Sequence, residues 1–165
     1  MAEFKGDMFL KVEGAIGGVI KGESQDDKHP NEIDVLGWSW GMHVNSGMSA
    51  AGRSGRATLK ELHVLKLVDS ASTALMKALR NNEVIKKAVL SVRKAGRGQF
   101  DYLIVTMENA RLTSLEIGTS GEELGPKISE KLTFAFHKIS VDYVPQGEDG
   151  QPRGGMTFAT ETSPT

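Results

Sequence analysis

The chain contains no cysteine, which excludes disulfides, thiolate metal sites and cysteine nucleophiles. An excess of charge of one sign is missing as well. Twenty Lys and Arg stand against 21 Asp and Glu, for a net charge of -1. Neutralising phosphates takes a concentrated basic surface, so nucleic acid is not expected as a main partner. No apolar run approaches the roughly 20 residues that span a bilayer, so membrane insertion is not expected either. The first residues read Met-Ala-Glu-Phe-Lys-Gly-Asp, with no apolar stretch behind a basic one. A Sec-type signal is not read there, and a cytoplasmic start is expected. Proline is scarce at 5 residues while glycine is abundant at 19. That mix suits many strand connections rather than a disordered tail.

The 165 residues favour one domain, residues 1–165, with a polar tail from about Gln146. A chain of this length buries roughly 68–70% of its unfolded surface and needs no crosslink to hold a core. Alternating apolar residues dominate, which is the period of half-buried strands. Met8, Leu10 and Val12 alternate with Phe9 and Lys11 in a first strand. Residues 33–44 read as a second, with Leu36, Trp38, Trp40 and Met42 on a bulky face and Val35, Gly37, Ser39 and Gly41 on a small one. A third covers 57–67, with Leu59, Leu65 and Leu67 as candidates for burial. Ala71, Ala74, Leu75, Ala78 and Leu79 lie on one face of a short helix, with Ser70 or Ser72 as N-cap and Asn81-Asn82 as its stop. That helix is expected over an open end or edge of the sheet.

Residues 85–94 and 100–117 read as a long hairpin turned at Ala95-Gly96-Arg97-Gly98. In its second arm Leu103, Val105 and Met107 face one way, and Thr106, Glu108, Ser114 and Glu116 the other. In the last long strand, 130–144, Phe134 and Phe136 are even whereas Ile139, Val141 and Tyr143 are odd. The apolar phase therefore flips near His137-Lys138, as at a β-bulge or a corner between two sheets. Outside the pattern lie a glycine-rich connection at 14–22, a polar loop at 45–56 too long for a simple hairpin turn, and the tail. Asp149-Gly150 is a turn signal in that tail, before a short strand at 156–159. The fold class read from this is mainly β: a single-domain barrel or sandwich of two sheets with one flanking α-helix.

Chemistry is thin. His29, His43, His63 and His137 are scattered without ligand spacing and read as ordinary surface or core histidines. Asp26-Asp27 and Glu122-Glu123 are sequence neighbours. On a strand such neighbours point to opposite faces, so solvated loop charge is the reading. The run from Gly14 to Lys21 lacks the order of a phosphate-binding loop, and no helix follows to aim a dipole. Arg53-Ser54-Gly55-Arg56 offers two cations, but mixed charge nearby favours a contact loop. There is no nucleophile elbow. No residue is assigned as catalytic, cofactor-binding or metal-ligating, and no cofactor is expected. Trp38 and Trp40 could stack a base or sugar, yet their aliphatic neighbours favour core packing. Phe134 and Phe136 are read as core with them.

The run Glu32-Ile33-Asp34-Val35-Leu36-Gly37-Trp38-Ser39-Trp40-Gly41-Met42 resembles the most recognisable stretch of the Hcp family, the tube proteins of bacterial type VI secretion systems. Asp7-Met8-Phe9-Leu10-Lys11 and Lys21-Gly22-Glu23-Ser24 match before it. Arg93-Lys94-Ala95-Gly96, Lys131-Leu132-Thr133-Phe134, and Val144-Pro145-Gln146 with Asp149-Gly150 match after it, in order over essentially the whole chain. Gly14 to Gly18 departs from the family pattern and looks like an insertion.

The resemblance implies a β-barrel similar to phage tail-tube proteins and no enzymatic activity. It implies homo-hexameric rings that stack inside a contractile sheath, beneath a VgrG spike, and are secreted into a target cell. Small effector proteins ride in the lumen. Ser39 is placed on that lumen by the family likeness, and Ser114 is a second lumen candidate from the polar face of its strand. The 45–56 loop, through Asn45, Ser46, Met48, Arg53 and Arg56, is assigned to ring stacking. The rival readings are a cargo carrier within the family, a small-ligand-binding barrel with no assembly role, and an enzymatic extension, for which the polar tail is too short.

Overall fold

In the computed structural model, the described residues are 7–44, 57–94, 100–119, 127–149 and 152–162. In chain order they form β1 (Met8–Gly14), β2 (Gly18–Ile20), β3 (Ile33–Asp34), β4 (Gly37–Ser39), β5 (Met42–His43), β6 (Thr58–Leu59), β7 (Leu62–Leu67), α1 (Ser72–Arg80), β8 (Ile85–Arg93), β9 (Asp101–Thr119), β10 (Ile128–Tyr143) and β11 (Met156–Glu161). β5 and β6 pair with each other, and the other nine strands make one sheet in the order β2-β1-β8-β9-β10-β7-β4, with β11 on β10 and β3 on β1. The fold is mainly β, as the alternation of apolar residues predicts.

The spine is the antiparallel ribbon of β9 and β10, paired from Leu103 with Tyr143 to Thr119 with Ile128. One edge of β10 serves two partners. Its first part, Ser129 to Phe134, takes β7, and its last, Lys138 to Tyr143, takes β11. The expected phase change lies between them. Leu132 and Phe134 are buried before it and Ile139 after it. Asn109 lies across from that point, between the pairs Lys138 with Glu108 and Phe136 with Ala110. It is left-handed, at φ 52°, a conformation Asn tolerates and β-branched residues resist. On β9 the buried set switches there from Val105 and Met107 to Ala110 and Leu112. A bulge at Thr113, which the register skips, switches it back. The two irregularities cancel, so Ser114 and Glu116 face outward as predicted.

Residues 33–44 depart from the single strand expected of them. They break into β3, β4 and β5, because they must serve both ends of an open sheet. Leu10 pairs with Ile33 on β1, and Val35 N–H donates to Met8 O at 3.0 Å. One residue later Leu36 N–H donates to Leu65 O at 2.8 Å, and Gly37 to Ser39 then run along β7. This strap, residues 33–39, bridges from β1 to β7 by changing partners. The burial phase changes with it. Ile33 and Val35 are fully buried, whereas Met42, placed on the bulky face by alternation, is 46% exposed.

Four other expectations shift. Along β7 the buried positions are Leu62, Val64 and Lys66, while Leu59, Leu65 and Leu67 are half-buried. On α1, Leu75 and Ala78 reach the core, but Ala74 is exposed. The N-cap is Ala71, with neither Ser70 nor Ser72 capping through its side chain. Instead Ala71 N–H donates to Asp69 Oδ1 at 2.9 Å. Asn81 closes the helix, as predicted. Residues 14–22, expected as a connection, include the tip of the β1–β2 hairpin, with Gly14 paired to Gly18. The tail returns through a pairing of Gln146 with Pro152 into β11. The turn at 95–98 and the 45–56 loop lie outside the described residues.

The interior is filled. Leu10, Val12, Leu62, Leu75, Leu90, Val105, Met107, Leu132, Phe134 and Ile139 belong to one apolar cluster. Trp38, Trp40 and Phe136 are half-buried against it. Trp40 meets Phe136 edge-on at 6.4 Å and donates from its indole N–H to Lys60 O at 2.8 Å.

Candidate functional site

Four strands lying side by side, β4, β7, β10 and β9, present one outer face whose residues follow from register alone. Ser39 pairs with His63, His63 with Thr133, and Thr133 with Ser114. The next row is Gly37, Leu65, Lys131 and Glu116. Because strand side chains alternate, all eight positions turn away from the core that Trp38, Val64 and Leu132 face. A groove of about 560 Å³ runs across these rows.

The first row carries hydroxyls and an imidazole. His63 Nδ1 lies 3.0 Å from Thr133 Oγ1, and Ser39 and His63 are exposed. In the second row Gly37 leaves open space beside Leu65, since a Cβ there would meet nothing within 4 Å. Lys131 and Glu116 oppose each other directly, so the face carries no charge of a single sign. It combines hydrogen-bonding side chains with apolar surface along the groove, where Leu65 lies beside Gly37. The structure thus brings Ser39 and Ser114 into one row, with two strands between them. His63, read from the sequence as an ordinary histidine, and Thr133, given no role there, complete the row. The signal was available in Leu62-His63-Val64-Leu65-Lys66-Leu67, where His63 is the outward partner of two buried neighbours.

Away from this face, the ion pair of Asp26 departs from the reading of that carboxylate as solvated loop charge, whereas His29 is a satisfied core histidine as expected. Asp26, read as solvated, is 2.7 Å from the Arg93 guanidinium. Burial would raise its carboxyl, but Arg93, the Lys28 backbone N–H and His29 together hold it below the usual range. Asp34, in the strap, is pushed above the usual range by burial and then by Asp69, Asp26 and Glu23. His29 is buried between Glu32 and Asp101, each 3.0 Å from one ring nitrogen. Among the described residues no group of three or more His, Asp or Glu is arranged to hold a metal ion. The ring-stacking residues Asn45, Ser46, Met48, Arg53 and Arg56 lie outside the described residues.

Residues 9–143 match the family model described as the type VI secretion system effector Hcp. The chain belongs to the Hcp family. It is 38% identical over 152 residues to protein hcp1 of Pseudomonas aeruginosa, with 90% of each chain covered. Its structure is similar to that of a type VI secretion system effector from Yersinia pestis, at TM-score 0.73 and 27% identity, covering 94% of this chain and all of that one. Hcp1 from Salmonella typhimurium is as similar, at TM-score 0.73 and 29% identity, covering 94% and 93%. Hcp proteins are secreted structural components that form the tube assemblies of type VI secretion. Against this Hcp frame, the groove face lies within the matched residues, whereas β11 lies beyond them. No helix among the described residues is long and apolar enough to cross a membrane.

Proposed function

We propose that this Hcp protein works without catalysis, by closing into hexameric rings whose lumen is lined by the Ser39–His63–Thr133–Ser114 face. Rings stack into a tube inside the contractile sheath, capped by a VgrG spike, and small effectors ride within. The protein waits in the cytoplasm until the system fires. The observation that carries this reading is the row itself. A lumen wall must stay wet, sterically quiet and balanced in charge, and hydroxyls, one imidazole, Gly37 and the opposed Lys131 and Glu116 meet all three demands. A ring also needs two different surface patches that meet under rotation, buried to an extent of about 2,000 Å² or more per junction for a lasting assembly. The exposed apolar side chains at the two ends of β10, Ile128 at one and Tyr143 at the other, are surface of the kind such junctions bury. Stacking is assigned to the 45–56 loop.

Native mass spectrometry tests the assembly and Ser39→Glu tests the lumen. The variant should give rings of unchanged copy number while losing the small effectors that co-purify with the wild-type ring. Rings that retain every such effector unchanged would remove Ser39 from the lumen, and a wild-type monomer at high concentration would remove the ring.

A further inference from the structure

β1 is covered on both faces at Phe9, though Lys11, further along the same outer face, is exposed. Leu10 and Val12 enter the barrel core, while Phe9, on the opposite face, is 1% exposed. What covers Phe9 is the connection between β2 and β3, residues 21–32, and the contact is unusual. The His29 ring stacks on Phe9 with centroids 4.4 Å apart and planes 11° off parallel, and Arg93 lies over the Phe9 ring at 5.2 Å. His29 Nδ1 is 3.0 Å from Glu32 Oε2, and its Nε2 is 3.0 Å from Asp101 Oδ1. Asp101 opens β9 and Arg93 closes β8, so His29 and the Asp26–Arg93 pair staple the connection to that end of the barrel.

A neutral imidazole has one N–H and one lone pair. Facing two carboxylates, it could donate to one and would set its lone pair against the other. Only the doubly protonated ring donates to both. The charges facing it are Glu32 and Asp101 in contact, and Asp26 with Arg93 close by. Asp7 stands 3.8 Å beyond, on the other side of Arg93. Asp26 is held below the usual carboxylate range in spite of its burial, with Arg93, the Lys28 N–H and His29 all acting in that direction. Glu32 is the last residue before the strap that bridges β1 to β7 and carries Ser39. Its carbonyl accepts from Ser24 N–H at 2.9 Å, and Asn31 N–H donates to Ser24 O at 2.9 Å. The clasp and the strap are therefore joined through one short stretch of backbone.

We propose that His29 is a proton-operated clasp: as the imidazolium it locks residues 21–32, and through them the strap at 33–39, to the β8–β9 end. The hold belongs to the ring that carries both N–H groups, because losing either proton sets a lone pair against one of the two carboxylates. This does not depend on the lumen reading, because it concerns an outer face of the barrel.

Hydrogen–deuterium exchange of the full-length, assembled protein reads the clasp in the amides of Ser24, Asn31 and Glu32. Their protection should fall at least roughly tenfold on going from acidic to alkaline buffer; that is the worth of one charge-assisted hydrogen bond. In His29→Gln protection should be low and flat across the range. Asp101→Asn separates the clasp from mere packing. Its amide N–H can serve the Nε2 lone pair, so a neutral ring satisfies both sides, and protection should stay high and flat. If circular dichroism shows that variant unfolded, Glu32→Gln makes the same test at Nδ1. A flat wild-type profile, or a pH step that survives in Asp101→Asn, overturns the proposal.

Discussion

Lys66 and Glu130 are cross-strand partners with no exposed surface, 2.6 Å apart between Nζ and Oε2. Ser72, the first residue of α1, donates to the same Glu130 oxygen at 2.5 Å. Lys66 also reaches Asp69 at 2.9 Å. Alternation places Lys66 in the core row of β7, where a lysine is costly unless paired, and the pairing ties the helix to the barrel wall. Buried pairs of this kind tend to break even against apolar replacement, whereas stripping one partner leaves a bare charge. Lys66→Met should therefore lower unfolding free energy by about 3–5 kcal/mol, and Lys66→Met with Glu130→Leu by clearly less. Urea titrations of both variants decide it. Equal losses in the single and double variants would mean that leaving Glu130 without Lys66 adds no penalty of its own.

At the scale of elements, the sequence was most legible where one strand serves one sheet. The hairpin of β8 with β9, and the faces assigned on β9 and β10, read correctly because those strands keep partners on both sides along much of their length. The phase change at His137 was visible because Phe134 and Ile139 differ in parity. The strap was not legible. Its break between Val35 and Leu36 is set by Met8 O on one side and Leu65 O on the other, and nothing local marks a change of partner. Lys66 misled for the related reason that its partner is 64 residues away. Of the site, Ser39 and Ser114 were named from the sequence, but their sharing a row depends on the bulge at Thr113, which no residue type announces. The other corner of β9 has a testable cause. Asn109 holds φ 52° where the buried face changes sides. Asn109→Val should cost about 1–3 kcal/mol, the strain of a left-handed β-branched residue, whereas Asn109→Gly should cost much less. A valine variant as stable as the wild type would show that the corner forms without Asn109.

At the scale of the molecule, the question is which interactions belong to one copy and which to the assembly. The interior is packed by the chain's own Leu10, Leu75, Leu90, Met107 and Phe134, so a single copy has a core sufficient to fold. The described residues leave Ile128, Tyr143, Met156 and Phe158 between 41 and 65% exposed, surface that a ring junction would dry. With a net charge of -1, long-range repulsion between copies is small. In the proposed ring, association therefore adds stability to an already folded subunit. Anything that binds the native state alone raises the apparent stability by mass action. The thermal midpoint should then rise with protein concentration over a roughly hundredfold range, while circular dichroism below the transition stays constant. Calorimetry across that dilution series, with native mass spectrometry at each point, reads both quantities. A midpoint indifferent to concentration while mass spectrometry shows rings giving way to single copies would mean that the ring junctions contribute nothing to holding the fold.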